Sequence, residues 1–234
     1  MADHITVPSV SSTRHPDSAW APLGEPLFRS LWIAAVVSYT GTWMQNVGAG
    51  WLMTQLSDSP LMVSLVQAAS AVPVFVAVLP AGALADMVDR RRLLLFTQSW
   101  MIVAAAALGL LTLLHATSPW MLLAFTFLLG IGAVMNDPAW QAITPDVVSP
   151  AQHSSAVALN SAGFNVARAA GPALGGLVVA AAGAGWSFLL NAASFSGVMY
   201  FLYNWKSHRH EPRQHAASEM QFAKDFFTFA AHLR

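Results

Sequence analysis

Cysteine is absent from the 234 residues, which removes disulfide frameworks, thiol catalysis and Cys-based metal sites. Charge is scarce as well. Asp, Glu, Lys and Arg together make up 9% of the chain, against about 25% in a soluble domain, too little to cover a water-facing surface. The 11 basic and 11 acidic residues cancel, so no global field points to nucleic acid or to an acidic partner. A secretory leader is not evident either. Residues 1–30 lack a compact apolar core and carry Pro8, Pro16, Pro22 and Pro26, which predicts a mobile, polar cytoplasmic tail.

Hydrophobic side chains are abundant, at 56% of residues, and they gather in runs of about 20, the number that spans a hydrocarbon core about 30 Å thick. These runs predict an all-α membrane protein with six transmembrane helices at Leu31–Met53, Leu61–Leu84, Leu93–Leu114, Trp120–Ile143, Ala156–Ala181 and Trp186–Trp205. The domain layout is then a tail over 1–30, a bundle over 31–205 and a cytoplasmic segment over 206–234. A soluble bundle of such helices would need a polar face on each, and most of these runs are apolar all round.

The cations follow the same partition. Arg14 and Arg29 precede the first span, Arg90, Arg91 and Arg92 fill the second connection, and Lys206, Arg209, Arg213, Lys224 and Arg234 follow the sixth. The first, third and fifth connections hold none, which predicts that both termini lie in the cytoplasm. Trp32, Trp51, Trp100, Trp120, Trp186 and Trp205 lie near span ends and read either as interfacial belts or as ordinary core aromatics.

Polar groups inside the spans are costly and should face a protein interior or a water-filled cavity. At about 100° per residue, Ser38, Tyr39, Thr42, Gln45 and Asn46 share one face of the first helix, beside a strip holding Gly41 and Gly48. Gln45 and Asn46 either line a cavity or hydrogen-bond to neighbouring helices. In the fourth helix Thr126, Gly130, Ala133, Asp137 and Gln141 share an arc. Asp137, just before Pro138, reads either as a group that titrates along a pathway or as a helix-end residue. Arg168 is the one cation within a span, about 18 Å along the fifth helix and so near the midplane. Its partner is an anionic substrate or an acid from another domain; the alternative is a structural bond to backbone carbonyls.

Two motifs add detail. Gly82-Ala83-Leu84-Ala85-Asp86-Met87-Val88-Asp89-Arg90-Arg91-Arg92 resembles motif A of the major facilitator superfamily, with Met87 and Asp89 departing from the usual Arg and Gly. Gly171-Pro172-Ala173-Leu174-Gly175-Gly176 resembles motif C of its antiporter branch. Gly41-Thr42-Trp43-Met44-Gln45 and Asn136-Asp137-Pro138-Ala139-Trp140-Gln141 look like the enterobactin-exporter branch, also called transmembrane secretion effectors. The resemblance covers about residues 28 to 234. It implies twelve helices in two halves, each half made of two inverted three-helix repeats, so this chain resembles the amino-terminal half. Helices one and four would line the cavity, and helices two and five would face the other half.

The resemblance implies an exporter of a small amphiphilic or anionic compound, such as a siderophore or a drug, driven by an ion gradient with protons as one candidate ion. Tyr39, Gln45, Asn46 and Arg168 are the cavity candidates and Asp137 the coupling candidate. Gly82, Asp86, Arg90 and Arg91 would gate, and Gly171, Pro172, Gly175 and Gly176 would form the antiporter contact. Where the family's motif B normally carries Arg, this chain has Thr126, so that coupling role does not transfer. The expected partners are the lipid bilayer, a small-molecule substrate, and a C-terminal half or a second copy, with no nucleic acid, cofactor or metal. Ser218 to Arg234, with Phe222, Phe226, Phe227 and Phe229, would begin an interfacial helix towards a seventh span.

Two rival functions follow different logic. An intramembrane enzyme would need a nucleophile with its base or a set of metal ligands on facing helices, yet every His lies outside the spans and Ser161 and Ser194 have no partner base. His208, His210 and His215 form a loose, solvated group rather than a metal site. A truncated, non-transporting membrane assembly protein is the other rival, since a single bundle lacks the second half that alternating access requires.

Overall fold

The computed structural model describes residues 18–87 and 89–204, without the side chains of 78–87, 90, 138, 139, 142, 145, 146 and 204. Six helices follow in order: α1 Pro26–Leu56, α2 Pro60–Met87, α3 Arg90–Leu113, α4 Pro119–Val147, α5 His153–Ala182 and α6 Ala184–Asn204. Short 3-10 turns precede α1 at Ala21–Gly24 and α5 at Pro150–Gln152. No strand occurs among the described residues. His208, His210, His215 and the expected interfacial helix lie outside them.

The local chemistry sets the helix ends. Pro26, Pro60 and Pro119 each open a helix, where the missing amide hydrogen is no loss and the fixed φ suits the first turn. Asp89 caps α3, its Oδ1 accepting from Arg92 N at 2.9 Å, and Ser118 Oγ caps α4 by accepting from Met121 N at 3.3 Å. Between α5 and α6 the chain turns at Gly183, whose φ of 89° favours a residue without Cβ.

Helices α1, α2, α4 and α5 overrun the expected spans at both ends, and α1 reaches back into the stretch expected as tail. Helix α1 starts at Pro26, Phe28 is 1% exposed, and Pro22 in the preceding 3-10 turn is buried against the bundle. Apolar burial, rather than charge, orders this stretch. Four helices, α2 to α5, contain stretches long and apolar enough to cross a membrane. Helices α1 and α6 are long enough at 31 and 21 residues, but Ser38, Gln45, Ser187, Asn191 and Ser194 dilute their apolar content. Of these, Gln45, Ser187, Asn191 and Ser194 lie in the α1–α6 contact, which removes them from lipid.

The packing carries an internal symmetry. Helix α1 lies along α5 and α6, α4 lies along α2 and α3, and α3 and α6 pack on each other. Exchanging α1 with α4, α2 with α5 and α3 with α6 returns the same set of contacts. An odd number of helices per unit reverses the direction of the second unit, so these are two inverted three-helix repeats. A strip of small residues on α5, Gly163, Ala167, Gly171 and Gly175, is buried against α1. A Cβ on Gly175 would come within 2.8 Å of Met44 Cα, so glycine is what allows the two backbones to meet.

The core is polarised along the bundle. Ala49, Leu52, Met53, Val66, Leu108, Leu122, Ala184 and Phe188 cluster near the end of α1 and the start of α4, and Met101, Ala105, Leu129 and Phe195 continue it to mid-bundle. Towards the other end, where Asp89 caps α3, α1, α4 and α5 part around a cavity.

Candidate functional site

This cavity has a volume of about 500 Å³, within the 300–1,000 Å³ common for small-molecule sites. Ser38, Tyr39 and Thr42 contribute from α1, Asn136, Asp137, Trp140 and Gln141 from α4, and Asn160, Ser161, Phe164 and Asn165 from α5. Gln98 from α3 and Phe195 from α6 close the back. The wall is therefore aromatic and amide-rich. Within it, Asn136 Oδ1 accepts from Gln98 Nε2 at 3.1 Å and Thr97 Oγ1 at 3.4 Å. Asn160 Nδ2 donates to Thr144 Oγ1 at 3.2 Å. Those bonds preorganise the amides and tie α3 to α4 and α5 to α4.

Of the expected site residues, Tyr39 and Asp137 line this cavity. Asp137 makes no hydrogen bond or ion pair with a described residue. Gln45 follows the second of its two readings, a bond to a neighbouring helix, and is not part of the lining. It is 5% exposed and its Oε1 accepts from Asn191 Nδ2 at 2.7 Å, because its angular position lies closer to the Gly41–Gly48 strip than to Tyr39 and so turns it onto α6. Asn46 is half-buried and is not part of the lining.

Arg168 also stands outside the lining. Its guanidinium carbon sits 5.7 Å from the Trp43 ring centroid, a cation–π contact that was not among the partners expected for it. Trp43 meets Phe164 edge-on at 6.3 Å, and Phe164 meets Tyr39 edge-on at 5.3 Å. An aromatic ladder thus runs from the cavity wall to Arg168, which lies one turn beyond Phe164 on α5.

The two motifs divide. In the stretch like motif A, the side chains of Asp86 and Arg90 and the surroundings of Gly82 lie outside the described residues, while Arg91 reaches across to α6. Its Nε donates to Leu202 O and its Nη2 to Tyr203 O, both at 2.9 Å, placing a cation on the unpaired carbonyls that end α6. In the stretch like motif C, Gly171 and Gly175 face α1, Pro172 is half-buried, and Gly176 is exposed with nothing within 4 Å of where a Cβ would be.

Gln98, Thr97, Asn160, Asn165 and Asn191 were not singled out from the sequence. Each is an amide or hydroxyl within an apolar helix, and the rule that drew attention to Gln45 applies to them equally. A second concavity of about 360 Å³, between α3 and α4, is lined by Phe96, Trp100, Val103, Phe125 and Leu128 and is apolar enough to face lipid. Among the described residues no group of His, Asp and Glu could hold a metal ion.

Comparison with known proteins agrees with the packing. A family model described as transmembrane secretion effector matches residues 17–231. The chain is 29% identical over 158 residues to the staphyloferrin A transporter of Staphylococcus aureus (strain NCTC 8325 / PS 47), covering 67% of this chain and 40% of that protein. It is 29% identical over 168 residues to the multidrug efflux pump Tap of Mycolicibacterium fortuitum, covering 69% and 41%. To YfiS of Bacillus subtilis (strain 168), an uncharacterized MFS-type transporter, it is 27% identical over 188 residues, covering 76% and 44%. The chain therefore spans less than half the length of these relatives. With its helical membrane bundle and paired repeats, the chain belongs to the transmembrane secretion effector family of major facilitator transporters.

Proposed function

We propose that this chain supplies one bundle of an exporter that moves a small amphiphile out of the cell by alternating access, driven by an ion gradient. The observation that carries the reading is the cavity of about 500 Å³ between helices of both inverted repeats, polar and aromatic inside a bundle whose outer face is apolar. Relatives named as a siderophore transporter and a multidrug efflux pump lend support. The second bundle comes from a C-terminal half or from a second copy of the chain.

Asp137 is the coupling group in this reading, as the unpaired carboxylate of the cavity, and protons are the candidate ion. Arg168, exposed at the far end of the aromatic ladder, faces the second bundle and pairs with an acid there. The tight core at the Leu56 end and the cavity at the Asp89 end describe a bundle accessible from the side that carries Arg91. With both termini cytoplasmic in a bacterial inner membrane, that side is the cytoplasm. Asp86 and Arg90 act with Arg91 as gating groups, and Gly176 and Pro172 meet the second bundle.

The test is gradient-driven efflux from proteoliposomes holding the chain as a purified oligomer. Efflux that collapses with the gradient supports the reading. A purified homodimer without efflux under any gradient rejects transport by this chain alone and favours the rival role, a membrane assembly protein.

A further inference from the structure

We infer that the cavity selects organic cations, held by the Asp137 carboxylate and by the aromatic rings around it. The inference rests on the reading of this cavity as the substrate path, and it names the sign of the ligand's charge.

Asp137 is the sole carboxylate among the described lining residues, and none of them is Lys, Arg or His. With no hydrogen bond or ion pair to a described residue, it presents an unpaired acceptor. A ligand that displaces water from this carboxylate within the bundle must replace that hydration, and a cation does so where an anion adds repulsion.

The rings point the same way. Tyr39, Trp140, Phe164 and Phe195 all line the cavity, and aromatic faces attract cations through their quadrupoles. The amides of Asn136, Asn160 and Asn165 offer both donors and acceptors and so do not decide the sign. Arg168, the residue that suggested an anionic substrate, lies outside the lining, and its guanidinium already stacks on Trp43.

Tetraphenylphosphonium and tetraphenylborate, nearly identical in shape and opposite in charge, separate the possibilities. Binding is measured with the full 234-residue chain in nanodiscs, against protein-free nanodiscs to remove lipid partitioning. The phosphonium should bind at least about tenfold more tightly than the borate, and Asp137→Asn should lose about tenfold or more of that affinity. Asp137→Glu, which keeps the charge, should retain binding and controls for folding together with gel filtration.

Equal or tighter binding of the borate overturns the inference, as does an Asp137→Asn chain that binds the phosphonium unchanged or a wild-type chain that binds neither ion. Loss of borate binding in Arg168→Gln would instead move the ligand to the guanidinium. Binding and efflux are read separately. Phosphonium binding without any transport leaves the inference standing and removes the export reading, whereas transport with a preference for the borate does the reverse.

Discussion

Replacing Gly175 and Gly176 by Ala, one at a time, separates packing from helix propensity within one Gly-Gly pair. Both residues lie in the interior of α5, so Ala gains the same propensity at each, up to about 1 kcal/mol, and that gain cancels in the difference. A Cβ on Gly175 would lie 2.8 Å from Met44 Cα and 3.0 Å from Met44 O, against backbone that cannot rotate away. At Gly176 nothing lies within 4 Å. Helices α1 and α5 must therefore separate in the first variant alone, and overpacking of this kind costs about 1–3 kcal/mol. Gly175→Ala should be less stable than Gly176→Ala by about that amount, measured by SDS-titrated unfolding in mixed micelles with helical circular dichroism as the signal. Equal stabilities would refute the close approach of α1 and α5. A Gly176→Ala chain that keeps its stability yet loses efflux would locate that glycine at the second bundle.

Two further substitutions probe single contacts. Gln45→Ala and Asn191→Ala should be non-additive, with a coupling of about 0.6–1.7 kcal/mol in a double-mutant cycle, since each removes the same 2.7 Å bond; full additivity would contradict that bond. Arg91→Ala should loosen the last turn of α6, where two carbonyls lose a charged donor, at a cost of about 1–2 kcal/mol. Faster hydrogen exchange near Phe201–Tyr203, partly restored by Arg91→Lys, checks it, and unchanged exchange would count against it.

Much of the fold could be read from the chain because lipid imposes a simple rule: backbone polar groups must be satisfied within each span. Apolar runs marked the six helices, and motif spacing gave the family. Tertiary placement was less legible. A polar face on α1 was visible, but whether Gln45 faced a cavity or a neighbour depended on α6, where Asn191 supplies the complementary amide. Likewise the stretch like motif C suggested one contact made by Gly171, Pro172, Gly175 and Gly176, while the rotation of α5 about its axis turns Gly175 inward and leaves Gly176 free. Arg168 was conspicuous as a charge, yet its contact is with the Trp43 ring, whereas the partners considered were an anion, an acid or backbone carbonyls. Asp89, a departure from the family pattern, serves as the cap of α3.

Because the chain has no cysteine, single-cysteine labelling tests the water-filled path directly. Ser161→Cys lies in the cavity wall and Val103→Cys on the apolar outer groove, where Val103 is 67% exposed. In inside-out membrane vesicles, a membrane-impermeant maleimide should modify Ser161→Cys and leave Val103→Cys unmodified, and a bound substrate should slow the reaction. A Ser161→Cys chain inert from both sides of the membrane, or one modified no faster than Val103→Cys, would contradict the account.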